Sequence, residues 1–247
     1  PANTRYEETD NRKIYRRQVS NASYESDFST NSGNDAWVTS NSSNYNINSS
    51  SSGKLYGVGN NDGTDFIYHD MQLNLGSGTN LSDTAFVIRI KNLKWGAVDE
   101  TYQHWTFGCS DSTVNPRVTS SDAFGMHQAK TGASSTANAA FDMSGTAFSY
   151  SSDTGAPSIS TDNQNIELIR DGTNISMTCY GTDDTFTTKV GSTVTKAIGS
   201  ATNIRYIMFF DKNEHTATTN SFTVEAVNVY NGTTSAKDAK WIERGTA

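Results

Sequence analysis

At 247 residues, with 34% apolar and 11% aromatic side chains, the chain is long enough for one large β-domain and too aromatic for a disordered one. Its net charge of −7 disfavours nucleic acid and anionic membranes as main partners. No apolar run approaches the ~20 residues that a membrane-spanning helix needs.

Residues 1–20 run against the acidic balance, with Arg5, Arg12, Lys13, Arg16 and Arg17 against Glu7, Glu8 and Asp10. They read either as a solvated tail or as an arm, a helical turn or an extended segment, that docks on a neighbour through Tyr6, Ile14 and Tyr15. Pro1 onward has no basic-then-apolar stretch, so a leader is expected to be removed or never present. Residues 21–53 are rich in Asn and Ser. Trp37 and Tyr45 mark short edge strands near 36–39 and 44–48, since a linker, the competing reading, gains nothing from a tryptophan.

From Lys54 the strand rhythm is steady: KLYGVG, then GTDFIYHDMQLNL with a phase change at His69-Asp70, then TAFVIRIKNLKW with Phe86, Ile88 and Ile90 on one face. HWTFGCS, AFGMHQA and FDMSGTAFSY follow. NIELIRDGTNISMTCY sets two alternating runs around Asp171-Gly172, the strongest short-range hairpin signal in the chain. DTFTTKV comes next. IRYIMFF is apolar on both faces and reads as a central strand covered on both sides. SFTVEAVNVYNG puts Phe222, Val224 and Ala226 on one face and Val227 and Val229 on the other. Only AKDAKWIE, 236–243, looks helical.

Roughly 12–14 strands with turn signals about every 8–12 residues make an all-β, two-sheet antiparallel β-sandwich or jelly roll rather than βαβ units. The simplest division is an arm over 1–20 and one domain over 21–247. With only 3 prolines against 19 glycines, turns must rest on Gly, Asn, Asp and Ser. The polar, Ser/Thr/Asn-rich surface suits an extracellular or virion-surface protein. Cys109 and Cys179 both alternate onto apolar faces, which favours two buried thiols over a disulfide between them.

TAFVIRIKNLKW, NIELIRDGTNISMTCYGTDD, and the closing pair IRYIMFF and SFTVEAVNVYNG resemble the strand phrases of the concanavalin A-like lectin/glucanase superfamily, laminin-G-like domains included. In the last phrase Val224, Val227, Tyr230 and Asn231 stand in the family's closing pattern. The resemblance covers most of the chain and implies a concanavalin A-like jelly roll. It rests on strand patterns, not on catalytic motifs. TRYEETDNRKIYRR resembles the openings of marine virus and phage structural proteins, which implies an attachment segment and homo-oligomers formed through the arm.

The glucanases of that superfamily carry an E-x-D-x-E triplet, which places carboxylates on one strand face. No such triplet occurs here: Asp99-Glu100 and Asp183-Asp184 are adjacent pairs, and Glu225 stands alone. There is no G-x-S-x-G elbow, and His69, His104, His127 and His215 lack metal-ligand spacing. The expectation is therefore a non-enzymatic protein. Asn60, Asp62 and Asp65 surround Gly63 in a loop that either turns a hairpin or holds Ca2+ through hard oxygens; Asp211 to Glu214 is a weaker second loop. Trp95, Asp99, Glu100, Tyr102, Gln103 and His104, in WGAVDETYQHW, combine aromatic faces with carboxylates and an amide between two strands, a pattern suited to glycan binding. The competing reading places Trp95 and Trp105 in the core. Six N-x-S/T sequons, at Asn21, Asn41, Asn48, Asn80, Asn174 and Asn231, matter only where the source glycosylates. Glycans or other virion and surface proteins are the expected partners. A purely structural subunit and a carbohydrate-active hydrolase are the alternatives.

Overall fold

The computed structural model describes residues 5–8, 13–18, 20–48, 53–59, 64–96, 103–116, 122–131, 135–143, 149–151, 163–199, 201–211, 220–238 and 240–246. In chain order the strands are β1 (Arg5–Glu8), β2 (Lys13–Gln18), β3 (Tyr24–Ser26), β4 (Trp37–Thr39), β5 (Tyr45–Asn48), β6 (Lys54–Gly59), β7 (Phe66–Asp70), β8 (Ala85–Trp95), β9 (Gln103–Ser110) and β10 (Ala123–Thr131). They continue with β11 (Ser135–Met143), β12 (Ser149–Tyr150), β13 (Gln164–Asp171), β14 (Asn174–Cys179), β15 (Val190–Ala197), β16 (Tyr206–Asp211), β17 (Asn220–Val224), β18 (Ala226–Asn231) and β19 (Lys240–Thr246). One helical turn, α1 (Gln72–Leu75), follows β7.

The strands form a two-sheet antiparallel sandwich. A seven-stranded sheet runs β12-β11-β10-β9-β16-β7-β4. A nine-stranded sheet runs β15-β14-β13-β8-β17-β6-β5, with β18 beside β8 and β3 beside β18. Alternation sends one face of each sheet inward. Phe86, Ile88, Ile90, Leu168 and Met177 from one sheet meet Phe107, Phe124, Ile207 and Phe209 from the other in a single core. Phe209 and Phe222 are 5.6 Å apart across it. Each such side chain stabilises the fold by about 1.5–3 kcal/mol relative to exposure. Cys109 and Cys179 are free, buried thiols within this core.

The 165–180 hairpin forms as expected, with Leu168 opposite Met177. Its turn lies one residue later than the Asp-Gly pair suggests. Asp171 still pairs with Asn174, and Gly172, at φ 59°, opens the two-residue loop. Arg170 shares the inward face with Ile166 and Leu168. It is buried and caps the end of the hairpin by donating to the carbonyls of Gly172, at 3.3 Å, and Ala201, at 2.6 Å.

Three readings of local structure need correction. Met71, Leu73 and Leu75 do not extend β7. Asp70 Oδ1 accepts the Gln72 N–H at 3.0 Å and the chain turns into α1, so Met71 and Leu75, four apart, face the core. The two apolar sets of SFTVEAVNVYNG do not lie on opposite faces either. Glu225 breaks the run between β17 and β18, so Phe222, Val224, Val227 and Val229 all enter one core. Asn92, at φ 50° in β8, answers this bulge: its N–H donates to Asn165 Oδ1 at 3.1 Å and its amide to Glu225 Oε2 at 2.7 Å. Lys54 completes the set on Glu225 Oε1 at 2.5 Å, so that carboxylate serves the bulge. Finally, the helix expected over 236–243 does not form among the described residues: from Lys240 the chain is strand β19, which pairs with β2, Trp241 opposite Arg17. β1 and β2 correspondingly pair antiparallel, with Tyr6 opposite Tyr15 and Glu7 opposite Ile14, in a three-stranded sheet β1-β2-β19.

Gly108 and Gly125 face each other across β9 and β10. A Cβ on Gly125 would come within 2.3 Å of the Phe107 carbonyl oxygen, which is backbone and cannot swing aside. Gly125→Ala is therefore expected to cost about 1–3 kcal/mol, read as a lowered denaturant midpoint.

Candidate functional site on the outer face of the seven-stranded sheet

Alternation that buries Ile67, Phe107, Ile207 and Phe209 turns their neighbours outward, and on β7 and β16 those neighbours are also apolar. The register aligns them in rows: Tyr206 with Asp70, Met208 with Tyr68, and Phe210 with Phe66. Val38 on β4 lies opposite Tyr68 and is 48% exposed. Towards β10 and β11 the face closes, where Met208, Phe210, Phe141, Met143 and Ala123 form a second buried cluster. Phe210 and Phe141 lie over Gly108, within 3.1 Å and 3.2 Å of where its Cβ would be. The segment after β9 crosses this face: Asn115 is buried and donates its amide to the Asp65 carbonyl at 3.4 Å. Towards β7 and β4 the face opens, leaving Phe66, Tyr68 and Tyr206 half-buried.

These rings form a continuous aromatic strip. Phe66 and Tyr68 have centroids 6.2 Å apart, and Tyr68 meets Tyr206 edge-on at 5.4 Å. Arg205 lies 5.1 Å from the Tyr206 centroid and grips Asp70 with a two-pronged contact, Nε to Oδ1 at 2.9 Å and Nη2 to Oδ2 at 2.5 Å. The Arg205 hydrogen bonds hold the Asp70 carboxyl below its ordinary value, and Asp70 in turn raises the guanidinium. Asp70 is thus a fixed anion, not a proton donor. The strip offers flat apolar faces with a charged, hydrogen-bonding rim at one end, the equipment for holding a flat, partly apolar, hydroxyl-bearing ligand.

The residues singled out in the sequence are placed differently. Trp95 is 1% exposed and donates Nε1–H to Gln128 Oε1 at 2.8 Å, so its ring is core and presents no sugar platform. Gln103 and His104 lie in β9, opposite Lys130 and Ala129. Asp99, Glu100 and Tyr102 lie outside the described residues. So do Asn60 and Asp62 of the expected Ca2+ loop, and residues 212–219, Glu214 among them. Asp211 ends β16. Asp65 is described and buried: its Oδ2 accepts the amides of Asn41, at 3.2 Å, and Asn44, at 2.5 Å, which pins the 41–44 turn. Among the described residues, no group of three or more His, Cys, Asp or Glu could hold a metal. Phe66, Tyr68, Asp70, Arg205 and Tyr206 were not singled out as a site. The signal for them is the run IRYIMFF, whose second apolar face needs a cover or a ligand.

The outer face of the nine-stranded sheet is also polar and clefted. Arg89 reaches Glu167 at 2.8 Å and Asp238 at 2.9 Å, and Lys91 reaches Asp238 at 3.2 Å. Arg89 also stacks 4.2 Å over Phe186. A cleft of about 440 Å³ runs beside this network, lined by Gln18, Lys91, Thr185, Phe186 and Lys237 among others. Both cations face carboxylates of their own chain, so the network serves to clamp the 236–238 segment. Burial pushes both thiols up, which makes Cys109 and Cys179 poor nucleophiles.

No protein-family model matches the chain. No curated protein matches it either. Solved structures do. The CBM2 module of the evolved Dit of Lactobacillus casei phage J-1 matches with a TM-score of 0.55 and 11% identity, over 86% of this chain and 96% of that one. The legume lectin-like domain from Entamoeba histolytica matches with a TM-score of 0.53 and 7% identity, over 79% of this chain and 89% of that one. A xylan beta-1,4-xylosidase from Bacillus halodurans matches with a TM-score of 0.55 and 9% identity, over 83% of this chain but only 38% of the enzyme, so this chain spans well under half of that enzyme's length. Identities this low speak to the fold alone: the chain is a lectin-like jelly-roll β-sandwich.

Proposed function

We propose that this chain is a non-enzymatic surface protein, a component of a virion or phage adhesion assembly of the concanavalin A-like superfamily, that binds carbohydrate on the outer face of its seven-stranded sheet. The half-exposed strip Phe66–Tyr68–Tyr206 beside the Arg205–Asp70 fork carries the reading. Sugar C–H groups rest on aromatic faces, and hydroxyls find partners on the charged rim. Similarity to a phage Dit carbohydrate-binding module and to a lectin-like domain supports both the ligand class and the setting, extracellular or on a virion. The likeness to a xylosidase favours a hydrolase as the second reading. Against it, glycoside hydrolysis needs a carboxyl that keeps its proton near neutrality, and Arg205 holds Asp70 ionised.

A glycan array run with and without Ca2+ tests the proposal. Binding of at least one glycan class, without its hydrolysis, is the expected result. Dependence on Ca2+ would add the 60–65 loop as a metal site. No binding to any sugar in either condition would leave the purely structural subunit as the reading.

A further inference from the structure

We infer that the aromatic strip reads three consecutive sugars within a single, uncharged, linear polysaccharide chain laid lengthwise along β7, and not a lone terminal sugar. The inference rests on the carbohydrate reading above and says which carbohydrate. Phe66 and Tyr68 are alternate residues of β7, and the register puts Tyr206 beside Asp70, the next alternate position. The three rings therefore follow one another along the strand direction, in which alternate residues stand about 6–7 Å apart. Their centroids step by 6.2 Å and then by 5.4 Å. Each step is close to the length of one sugar in an extended chain, so neighbouring sugars meet neighbouring rings. A single sugar covers only one ring of the three.

Two further features narrow the class. The first is charge. Arg205 is spent on Asp70 through both prongs, so the pair at the Tyr206 end carries no net charge. It presents a hydroxyl with guanidinium N–H groups and carboxylate oxygens together, which suits a group that both donates and accepts. A uronic acid or a sulfate would instead meet Asp70 and a chain of net charge −7. The second feature is the tilt of the rings. Phe66 and Tyr68 are 26° from coplanar, whereas Tyr68 and Tyr206 are 81° apart. Rings so turned cannot all rest on the flat face of a crystalline polysaccharide. They can follow one chain whose successive sugars rotate about its axis. The row also borders the open side of the sheet, where the outermost strand β4 leaves Val38 exposed, so a long chain has room to lie beside it.

Calorimetric titration with linear oligosaccharides of one to six units, built from glucose, xylose, mannose, galactose or N-acetylglucosamine, tests this. In the series that binds, affinity is expected to rise about tenfold or more from one sugar to three, to level off beyond three, and to hold as salt is raised. Phe66→Ala and Tyr206→Ala remove opposite ends of the row. Each is expected to lower the trimer to about the affinity of the dimer, with the melting curve showing that the variant is folded. Crystalline cellulose and chitin are expected to leave the protein in the supernatant. A single sugar bound as tightly as the trimer would overturn the inference and leave the carbohydrate reading in place. So would uronic-acid or sulfated chains bound more tightly than neutral ones, or retention on either crystalline solid. Failure of every sugar, single or chained, neutral or charged, would sink the carbohydrate reading itself.

Discussion

Trp95→Ala is expected to destabilise the protein by about 3–5 kcal/mol, measured by denaturant unfolding. The indole ends β8 and is 1% exposed. Its removal opens a cavity that the surrounding sheets cannot close. It also takes away the donor for Gln128 Oε1, and Gln128 is itself buried, passing its amide hydrogen to Gln164 at 3.1 Å. Trp95→Phe separates the two effects: most of the volume stays while the donor is lost, at a cost of about 1–3 kcal/mol. A tryptophan that served as a sugar platform would behave in the opposite way, with stability kept and binding lost.

Asp238→Asn is expected to cost about 2–3 kcal/mol at neutral pH. Breaking a fully buried pair costs about 3–5 kcal/mol, and this carboxylate is discounted because it is 22% exposed. Burial pulls the Asp238 carboxyl up, but the Tyr230 hydroxyl, Lys91 and Arg89 outweigh it and hold it below its ordinary value. A group depressed in the folded state stabilises at every pH above its unfolded value of about 3.9, and that stability fades as pH falls through the lower folded value. The gap between Asp238→Asn and wild type should therefore shrink on going from pH 7 to pH 3, in parallel urea titrations. An equal gap at both pH values would mean that the asparagine fails through shape, not charge. Gln18 still holds the backbone carbonyl of residue 238, at 2.9 Å in the wild type, so the variant keeps that tie on the segment leading into β19.

The fold was legible where strands bury one face. Phe86, Ile88 and Ile90 announce β8, and the pairing of Ile166–Asp171 with Asn174–Cys179 follows from their alternation. It was illegible where tertiary contacts override a local rule. AKDAKWIE has helix-forming composition, yet β2 recruits Lys240–Thr246 as a strand, because pairing with a neighbour outweighs propensity. The bulge at Glu225 reverses a phase that period-2 reading takes as fixed, and its partner Asn92 is recognisable only by its positive φ. The site was missed for a related reason. Alternation assigns one face to the core and says nothing about aromatics on the other, so nothing in the strand pattern marks the outward-facing Phe66 and Tyr68 as a site. Trp95, conversely, sits at a strand end that reads as a loop.

The central claim is that the Phe66–Tyr68–Tyr206 strip binds carbohydrate. Calorimetric titration of wild type, Tyr68→Ala and Tyr206→Ala with a glycan found on the array tests it most directly. Each variant is predicted to lose about tenfold in affinity, equivalent to ~1.4 kcal/mol, while unfolding as cooperatively as wild type. Unchanged affinity in both folded variants would contradict the claim and move the site to another face of the sandwich.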